Sequence, residues 1–185
     1  MSVHRVSFES DQIGTTPEGW AATLTGKGDS KWTVETDETA PSRLKVLKQS
    51  GRATYPLLLK NDTNIKDGFV EVWFKAIAGS QDRAAGIIWR ARDANNYYVV
   101  RANALEDNFV LYKTVDGIRS ALDIVGRKGG YGLPFRFRPT LGIACGLISK
   151  PHASKPPSTA ISYSRSTIPL SPIPGRWGSG RRRTA

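Results

Sequence analysis

Aromatic, arginine and asparagine side chains recur between residues 71 and 112 at spacings that could place them side by side. Aromatic rings stack on the apolar CH faces of sugars, while guanidinium and amide groups form hydrogen bonds with sugar hydroxyls. This combination predicts a carbohydrate-binding surface. The alternative is a solvent-exposed sheet decorated by ordinary cross-strand pairs. The candidate binding residues are Trp73, Arg90, Arg92, Tyr97, Arg101, Asn103 and Tyr112.

Two carboxylates near these residues are the candidates for acid–base chemistry. Hydrolysis of a glycoside with retention needs two carboxyl groups about 5–5.5 Å apart. Glu71 and Glu106 are the candidate catalytic residues. Glu71 is expected beside Arg90, as in a structural ion pair, and Glu106 is expected in a hairpin loop, as in a solvated turn. The residues alone therefore leave open whether the protein is an enzyme.

Short strands are expected to position these side chains. Val70, Val72 and Phe74 alternate with polar or amphipathic residues, which is typical of a half-buried strand. Other segments are rich in β-branched and aromatic residues and end at Gly, Asp or Asn turns. We expect an all-β fold, an antiparallel jelly-roll sandwich. The remaining candidate strands are Arg5–Glu9, Trp32–Glu35, Lys45–Gln49, Ala53–Leu59, Ala84–Arg92, Asn96–Ala104, Asn108–Thr114 and Arg119–Val125.

Loop lengths predict the register of the central hairpins. A turn over Asp93–Asn96 sets Arg92 opposite Tyr97 and Arg90 opposite Val99, and a loop over Ala104–Asp107 sets Asn103 opposite Asn108, Arg101 opposite Val110 and Val99 opposite Tyr112. A loop over Ala78–Arg83 sets Glu71 opposite Arg90 and Trp73 opposite Ile88. We call the two resulting surfaces the polar face and the apolar face. The polar face contains Glu71, Trp73, Arg90, Arg92, Tyr97, Arg101, Asn103, Asn108 and Tyr112. The apolar face contains Val70, Val72, Phe74, Ile87, Trp89, Tyr98, Val100, Phe109 and Leu111, of which Trp89 and Tyr98 are expected in the core.

The C-terminal residues differ from the rest in composition. The chain has 185 residues and a formal charge of +11, but residues 1–130 hold 18 basic against 16 acidic residues, whereas residues 131–185 hold nine basic residues and no acidic residue. This second segment is rich in Ser, Pro and Arg, so we expect a disordered tail at 130–185 after a sandwich at 1–129. Arg181–Arg183 with Trp177 could contact nucleic acid or a membrane surface, but neither partner is expected.

Residues that could hold a cofactor or a metal are sparse. Cys145 is the only cysteine, and His4 and His152 are isolated in the sequence, so neither an internal disulfide nor a zinc site is expected, and no cofactor is implied. No apolar run reaches the roughly 18–20 residues that cross a bilayer. The first ten residues lack the apolar segment of a signal peptide. The oligomeric state is not determined by the sequence.

Residues 5–129 resemble the 3-keto-disaccharide hydrolase family, bacterial jelly rolls of concanavalin A-like and laminin-G-like type that are distantly related to laminarinase-like glycoside hydrolases. The resemblance is carried by Asn96–Asn108, Ala85–Arg90, Asp67–Val72, Val46–Gln49 and Trp32–Val34. It implies binding or hydrolysis of a glycoside on a concave sheet, and a secreted or periplasmic location. The alternative is a non-catalytic carbohydrate-binding or interaction module of laminin-G-like type.

The closing strands of that family do not occur in residues 130–185. When residues 130–185 are back-translated, the possible codons can be read in another frame. That frame permits runs similar to the closing strands of the family, in the same order as in the family. We therefore expect that the C-terminal part is an out-of-frame translation beginning near Leu133–Arg138. The product would lack its closing strands, and it would be non-functional if those strands are needed.

Overall fold

A computed structural model describes residues 4–40, 44–64, 70–124, 127 and 131–136. These residues form antiparallel strands, and the described part of the chain contains no helix, so none that could cross a membrane. The all-β prediction is confirmed. The strands are β1 (Trp20–Gly28), β2 (Trp32–Thr36), β3 (Lys45–Gln49), β4 (Ala53–Lys60), β5 (Ala84–Asp93), β6 (Asn96–Asn103), β7 (Asn108–Val115), β8 (Ile118–Ala121) and β9 (Leu133–Pro134).

The strands are grouped in three sheets. β1 pairs with β4, β2 pairs with β3, and β5, β6, β7 and β8 form a larger sheet in that order, with β9 also paired to β7. Six of the predicted strands agree with β2 to β7 to within a residue at each end, and β8 covers part of Arg119–Val125. β1 was not predicted. Arg5–Glu9 and Val70–Lys75 were predicted as strands, but neither belongs to a described ladder.

The register of the β6–β7 hairpin is confirmed. Asn103 lies opposite Asn108, Arg101 opposite Val110 and Val99 opposite Tyr112. The hairpin is closed by four residues, one of which, Asp107, has a φ of 47°. Aspartate tolerates this left-handed conformation better than most residues, so the loop sequence suits its geometry.

The register predicted for β5 and β6 is wrong beyond the turn. Asp93 does lie opposite Asn96, but the next observed pair is Trp89 with Tyr98, so β5 contains a bulge and Val99 faces Ile88 instead of Arg90. Arg90 lies in the bulge with a φ of 50°. Because the shift is two residues, the alternation of side chains between the two faces continues beyond the bulge.

The predicted pairing of Val70–Lys75 with β5 is also wrong for the described residues, because no ladder joins the two segments there and the cross-strand registers of Glu71 with Arg90 and of Trp73 with Ile88 are not observed. The segment still packs on the sheet through Val70 and Phe74. Lys75 is held elsewhere, because its ammonium group lies 3.1 Å from Asp37 and donates to Thr39 at 2.8 Å. These contacts tie the segment to the loop between β2 and β3.

Both faces of the large sheet carry a buried cluster. On the apolar face, Ile87, Val100, Ala102 and Phe109 are buried against Val70, Phe74, Trp89 and Leu111, as predicted for most of that face. On the polar face, a second cluster consists of Leu57, Tyr97, Val99, Val110 and Tyr112. Leu57 belongs to β4, so the β1–β4 sheet covers part of this face. The interpretation that the polar face is not a core surface is therefore wrong at Tyr97 and Tyr112, which are 2% and 6% exposed.

Residues 131–136 lie against β7, past the predicted boundary at residue 129. Leu133 is paired with Phe109 and Pro134 with Asn108. The amide of Phe135 donates to the carbonyl of Asp107, and the Phe135 ring meets Phe109 edge-on at 4.8 Å. The rest of the predicted tail, residue 130 and residues 137–185, lies outside the described residues.

Candidate functional site

The predicted binding residues are distributed over four places. Arg101, Asn103 and Tyr112 lie together where β6 and β7 meet at their loop. Tyr97 lies at the opposite end of the polar face under the β1–β4 sheet. Arg90 and Arg92 are exposed at the β5 bulge, and Trp73, which is 40% exposed, lies outside the ladders, as does Glu71. Only the first group forms a compact polar site, which we call the Arg101 cluster. It contains Asp82, Arg101, Asn103, Glu106, Asn108, Tyr112 and Tyr131.

Arg101 is the centre of this cluster. Its side chain is only 14% exposed, and its Nη2 atom donates to the Glu106 carboxylate at 2.5 Å. Its Nη1 atom lies 3.6 Å from the Asp82 carboxylate. Glu106 reaches Arg101 because the short loop after β6 turns back over the end of the strand. One guanidinium group therefore holds two carboxylates from two different loops.

Asn103 and Asn108 hold those carboxylates through hydrogen bonds from their buried side-chain amides. They face each other across the ladder, and they are 0% and 9% exposed. The Asn103 amide donates to Asp82 at 2.5 Å, and the Asn108 amide donates to Glu106 at 3.0 Å. Each carboxylate is thus held by Arg101 and by one buried amide, which limits its rotamers before any ligand arrives.

Tyr112 and Tyr131 form the third side of the cluster. Their hydroxyl groups are hydrogen-bonded to each other, and their rings are 6.3 Å apart at an angle of 66°. Tyr112 is buried and lies 5.5 Å from the Arg101 guanidinium, whereas Tyr131 is 54% exposed. Burial raises the pKa of the Tyr112 hydroxyl, and its hydrogen bond with Tyr131 raises the pKa further. The hydroxyl therefore stays protonated at neutral pH.

The neighbours of Arg101 keep its guanidinium group charged. Burial alone would lower the pKa of its guanidinium, but Tyr112, Tyr131, Glu106 and Asp82 together raise it. Arg101 also has a buried Nε atom with no hydrogen-bond partner among the described residues. Its terminal nitrogens are engaged by Glu106 and Asp82. The second oxygen of each of these carboxylates has no hydrogen-bond partner among the described residues, so it can accept a hydrogen bond from a ligand. Glu106 is 42% exposed and Asp82 is 58% exposed.

At the other end of the same face, Tyr97 is buried in a contact between the two sheets. Arg119 donates to the Tyr97 hydroxyl at 3.0 Å and stacks on Tyr55 of β4 at 3.5 Å. The Thr25 hydroxyl of β1 lies 2.9 Å from the Tyr97 hydroxyl and donates to the Ala94 carbonyl at 2.5 Å. These contacts join the β1–β4 sheet to the large sheet.

Three members of the cluster, Asp82, Asn108 and Tyr131, were not among the predicted site residues, although Asn108 was predicted to lie on the polar face. Asp82 could have been found, because β5 begins at Ala84 opposite Asn103, and the preceding loop must then lie beside Asn103. Tyr131 carries no such signal, since its position depends on the pairing of Leu133–Pro134 with β7.

The described residues contain no group of three or more His, Cys, Asp or Glu side chains that could hold a metal ion. In comparisons with known proteins, no family model, no curated protein and no solved structure matches this chain. The geometry of the cluster and the residues that carry the family resemblance are thus the bases for a functional proposal.

Proposed function

We propose that this chain is a carbohydrate-binding jelly-roll domain that resembles the 3-keto-disaccharide hydrolases and binds a glycoside at the Arg101 cluster. The observation that carries the proposal is the pair of preorganised carboxylates on Arg101, next to the half-exposed ring of Tyr131. Sugar sites combine such fixed polar groups with an aromatic surface.

Each part of the cluster has a partner group on a sugar. The exposed Tyr131 ring provides a surface for the CH face of a pyranose. The free carboxylate oxygens of Glu106 and Asp82 accept hydrogen bonds from hydroxyl groups, and adjacent hydroxyls of a pyranose can reach two acceptors at once. Because Arg101, Asn103 and Asn108 already hold the carboxylates, little side-chain entropy is lost when the ligand binds.

The jelly-roll assignment is part of this proposal. The support is that the β1–β4 sheet packs on the polar face of the large sheet through Leu57, Tyr55 and Thr25, which is sandwich-type packing. The closing strands expected from the resemblance would add to these sheets, and their absence from the sequence makes the sandwich incomplete.

Binding is favoured over hydrolysis by the contacts of Glu106. A general acid must donate a proton to the glycosidic oxygen of the substrate. The Glu106 carboxylate instead accepts hydrogen bonds from Arg101 at 2.5 Å and from Asn108 at 3.0 Å. The proposal therefore assigns Glu106 to ligand binding, and hydrolysis is the alternative that the experiment must separate.

The test is titration calorimetry of the full chain with a 3-keto-glucoside and with cellobiose. Tyr131→Ala is expected to weaken binding by about 2- to 10-fold, from the loss of an aromatic contact. Arg101→Lys is expected to weaken it by about 10-fold or more, since lysine cannot hold both carboxylates. Arg92→Gln, an exposed position outside the cluster, is the matched control and should bind as the wild type does. Wild-type affinity in both cluster variants, or no binding by the wild type, would refute the proposal.

The hydrolytic alternative has a separate readout. If the released sugar increases with time in the wild type and not in Glu106→Gln, while Glu106→Gln still binds, then the domain is an enzyme and Glu106 is catalytic. Binding without turnover supports the proposal as stated.

A further inference from the structure

We infer that the Arg101 cluster prefers a cationic amino sugar to a neutral sugar, and a neutral sugar to a uronic acid. This inference rests on the proposed function, because it names the class of glycoside that the same site would take. The observation behind it is that the arginine of the cluster is already neutralised by two carboxylates.

An arginine in a sugar site would ordinarily suggest an acidic ligand, because guanidinium binds carboxylates in a bidentate fork. Arg101 cannot do so here. Its Nη2 atom lies 2.5 Å from Glu106 and its Nη1 atom lies 3.6 Å from Asp82. The Nε atom is buried. A uronate would have to displace one of the two carboxylates to reach the guanidinium.

The outer surface of the cluster offers acceptors instead. Glu106 and Asp82 are the more exposed members of the ion pairs, and each has a second oxygen besides the one bound to Arg101. Both amide donors, on Asn103 and Asn108, are turned inwards to the same carboxylates. The ligand must therefore supply donors. A protonated amine supplies up to three and adds an attractive charge, whereas a uronate adds a repulsive one.

Two arginines that are close to the cluster in sequence donate to backbone carbonyls. Arg83 donates its Nε to the Gly79 carbonyl, and Arg127 donates to the Gly132 carbonyl. The chain as a whole carries +11, which would by itself attract anions. At about 0.15 M salt the screening length is about 8 Å, so the groups in direct contact with the ligand dominate.

The experiment compares three disaccharides with the same β-1,4-linked gluco skeleton: glucosamine disaccharide, cellobiose and cellobiouronic acid. Titration calorimetry is performed on the full chain at about 0.15 M salt, in a buffer acidic enough to protonate the sugar amine. One net charge about 5 Å away in water-like surroundings corresponds to a roughly three- to five-fold change in affinity. The amino sugar is expected to bind that much tighter than cellobiose, and the uronate that much weaker.

Variants separate this inference from the proposed function. Glu106→Gln keeps the shape of the cluster and is expected to reduce or reverse the order of the amino sugar and the uronate. Arg92→Gln is the control and should keep the wild-type order. If cellobiose binds through Arg101 but the three sugars bind equally or the uronate binds best, the charge preference is wrong and the proposed function stands. If none of the three binds, both are wrong.

Discussion

The burial of Tyr97 makes a quantitative prediction that separates a core residue from a ligand-binding residue. Its hydroxyl is the middle of a chain in which Arg119 donates to Tyr97, Tyr97 donates to Thr25, and Thr25 donates to the Ala94 carbonyl. Removal of the hydroxyl in Tyr97→Phe breaks this chain in the middle. It leaves a half-buried guanidinium nitrogen and a buried threonine oxygen without that partner.

The expected cost follows from those two lost hydrogen bonds. A hydrogen bond to a charged group contributes about 1.5–3 kcal/mol, and a neutral one about 0.5–1.5 kcal/mol, with the lower values applying where water can replace the partner. Tyr97→Phe should therefore lower the free energy of unfolding by about 1–3 kcal/mol. Tyr97→Ala should lower it by about 3–5 kcal/mol, a large part of the roughly 5–15 kcal/mol typical of a domain.

The measurement is guanidinium denaturation followed by tryptophan fluorescence. Tyr98→Phe is the matched control. Tyr98 is the next residue on the same strand, it is half-buried against Trp89 at 5.6 Å, and its hydroxyl forms no hydrogen bond with the described residues. It should change the free energy of unfolding by less than about 0.5 kcal/mol. Equal midpoints for Tyr97→Phe and the wild type would refute the closed contact at this end of the polar face.

Gly86→Ala is expected to weaken the β5–β6 ladder, because a Cβ atom there would lie 2.1 Å from the Val100 carbonyl oxygen. Amide hydrogen exchange along β6 measures the strength of the ladder, and unchanged protection of the β6 amides would contradict the prediction. The pKa of Asp37 is lowered to about 2 by hydrogen bonds from the Thr39 hydroxyl, the Thr39 amide and Lys75. Since a lowered carboxyl pKa stabilises the folded state above the unfolded value of 3.8, this contribution should be complete above that pH and lost as the pH falls towards 2. The difference in melting temperature between the wild type and Asp37→Asn should narrow over that range, and a constant difference would contradict the assignment. Phe135→Ala removes the edge-on contact with Phe109 and should lower the free energy of unfolding by at least about 0.5–1.5 kcal/mol, as measured by denaturation, whereas no change would mean that residues 131–136 do not pack on β7.

The β6–β7 hairpin shows what the sequence could predict. Alternating residues from Tyr97 to Tyr112 and a four-residue loop fix both the register and the faces, since a strand has a period of two. The prediction that Arg101, Asn103 and Tyr112 lie on one face depends only on this local pattern. This local pattern is why three members of the Arg101 cluster could be predicted from the sequence.

The features that could not be predicted depend on contacts from distant parts of the chain. The β5 bulge requires a left-handed φ at Arg90, and no glycine or asparagine marks that position. β1 was missed because its sequence, WAATLTGKG, has small residues and glycines in place of a clear alternation. Tyr97 was predicted to lie on an exposed surface because the hydrogen-bond partners of its hydroxyl cannot be identified from the local sequence. A tyrosine can be buried once its hydroxyl has such partners, and those of Tyr97 are Thr25 and Arg119, which come from other strands.

One face of β6 thus contributes both to the core and to the candidate site. The part of this face that is covered by the β1–β4 sheet belongs to the core, and the part beyond that sheet belongs to the Arg101 cluster. Tyr97 and Val99 lie in the cluster that includes Leu57 of β4, whereas Arg101 and Asn103 lie farther along the same strand at about 3.3 Å per residue. A slip of β6 by one residue in the β6–β7 register would move Tyr97 out of the Leu57 cluster to the opposite face, and it would turn Arg101 away from Glu106 in the same step.

Folding and the geometry of the Arg101 cluster are therefore coupled. A ligand that binds the cluster must stabilise the fold, by about 2.7 kcal/mol at a concentration one hundred times its dissociation constant. Since the total free energy of unfolding of a domain is only about 5–15 kcal/mol, this increase should be easy to detect as a shift in the denaturation midpoint. A sugar that binds without any such shift would have to occupy a surface whose shape does not depend on the β6–β7 register.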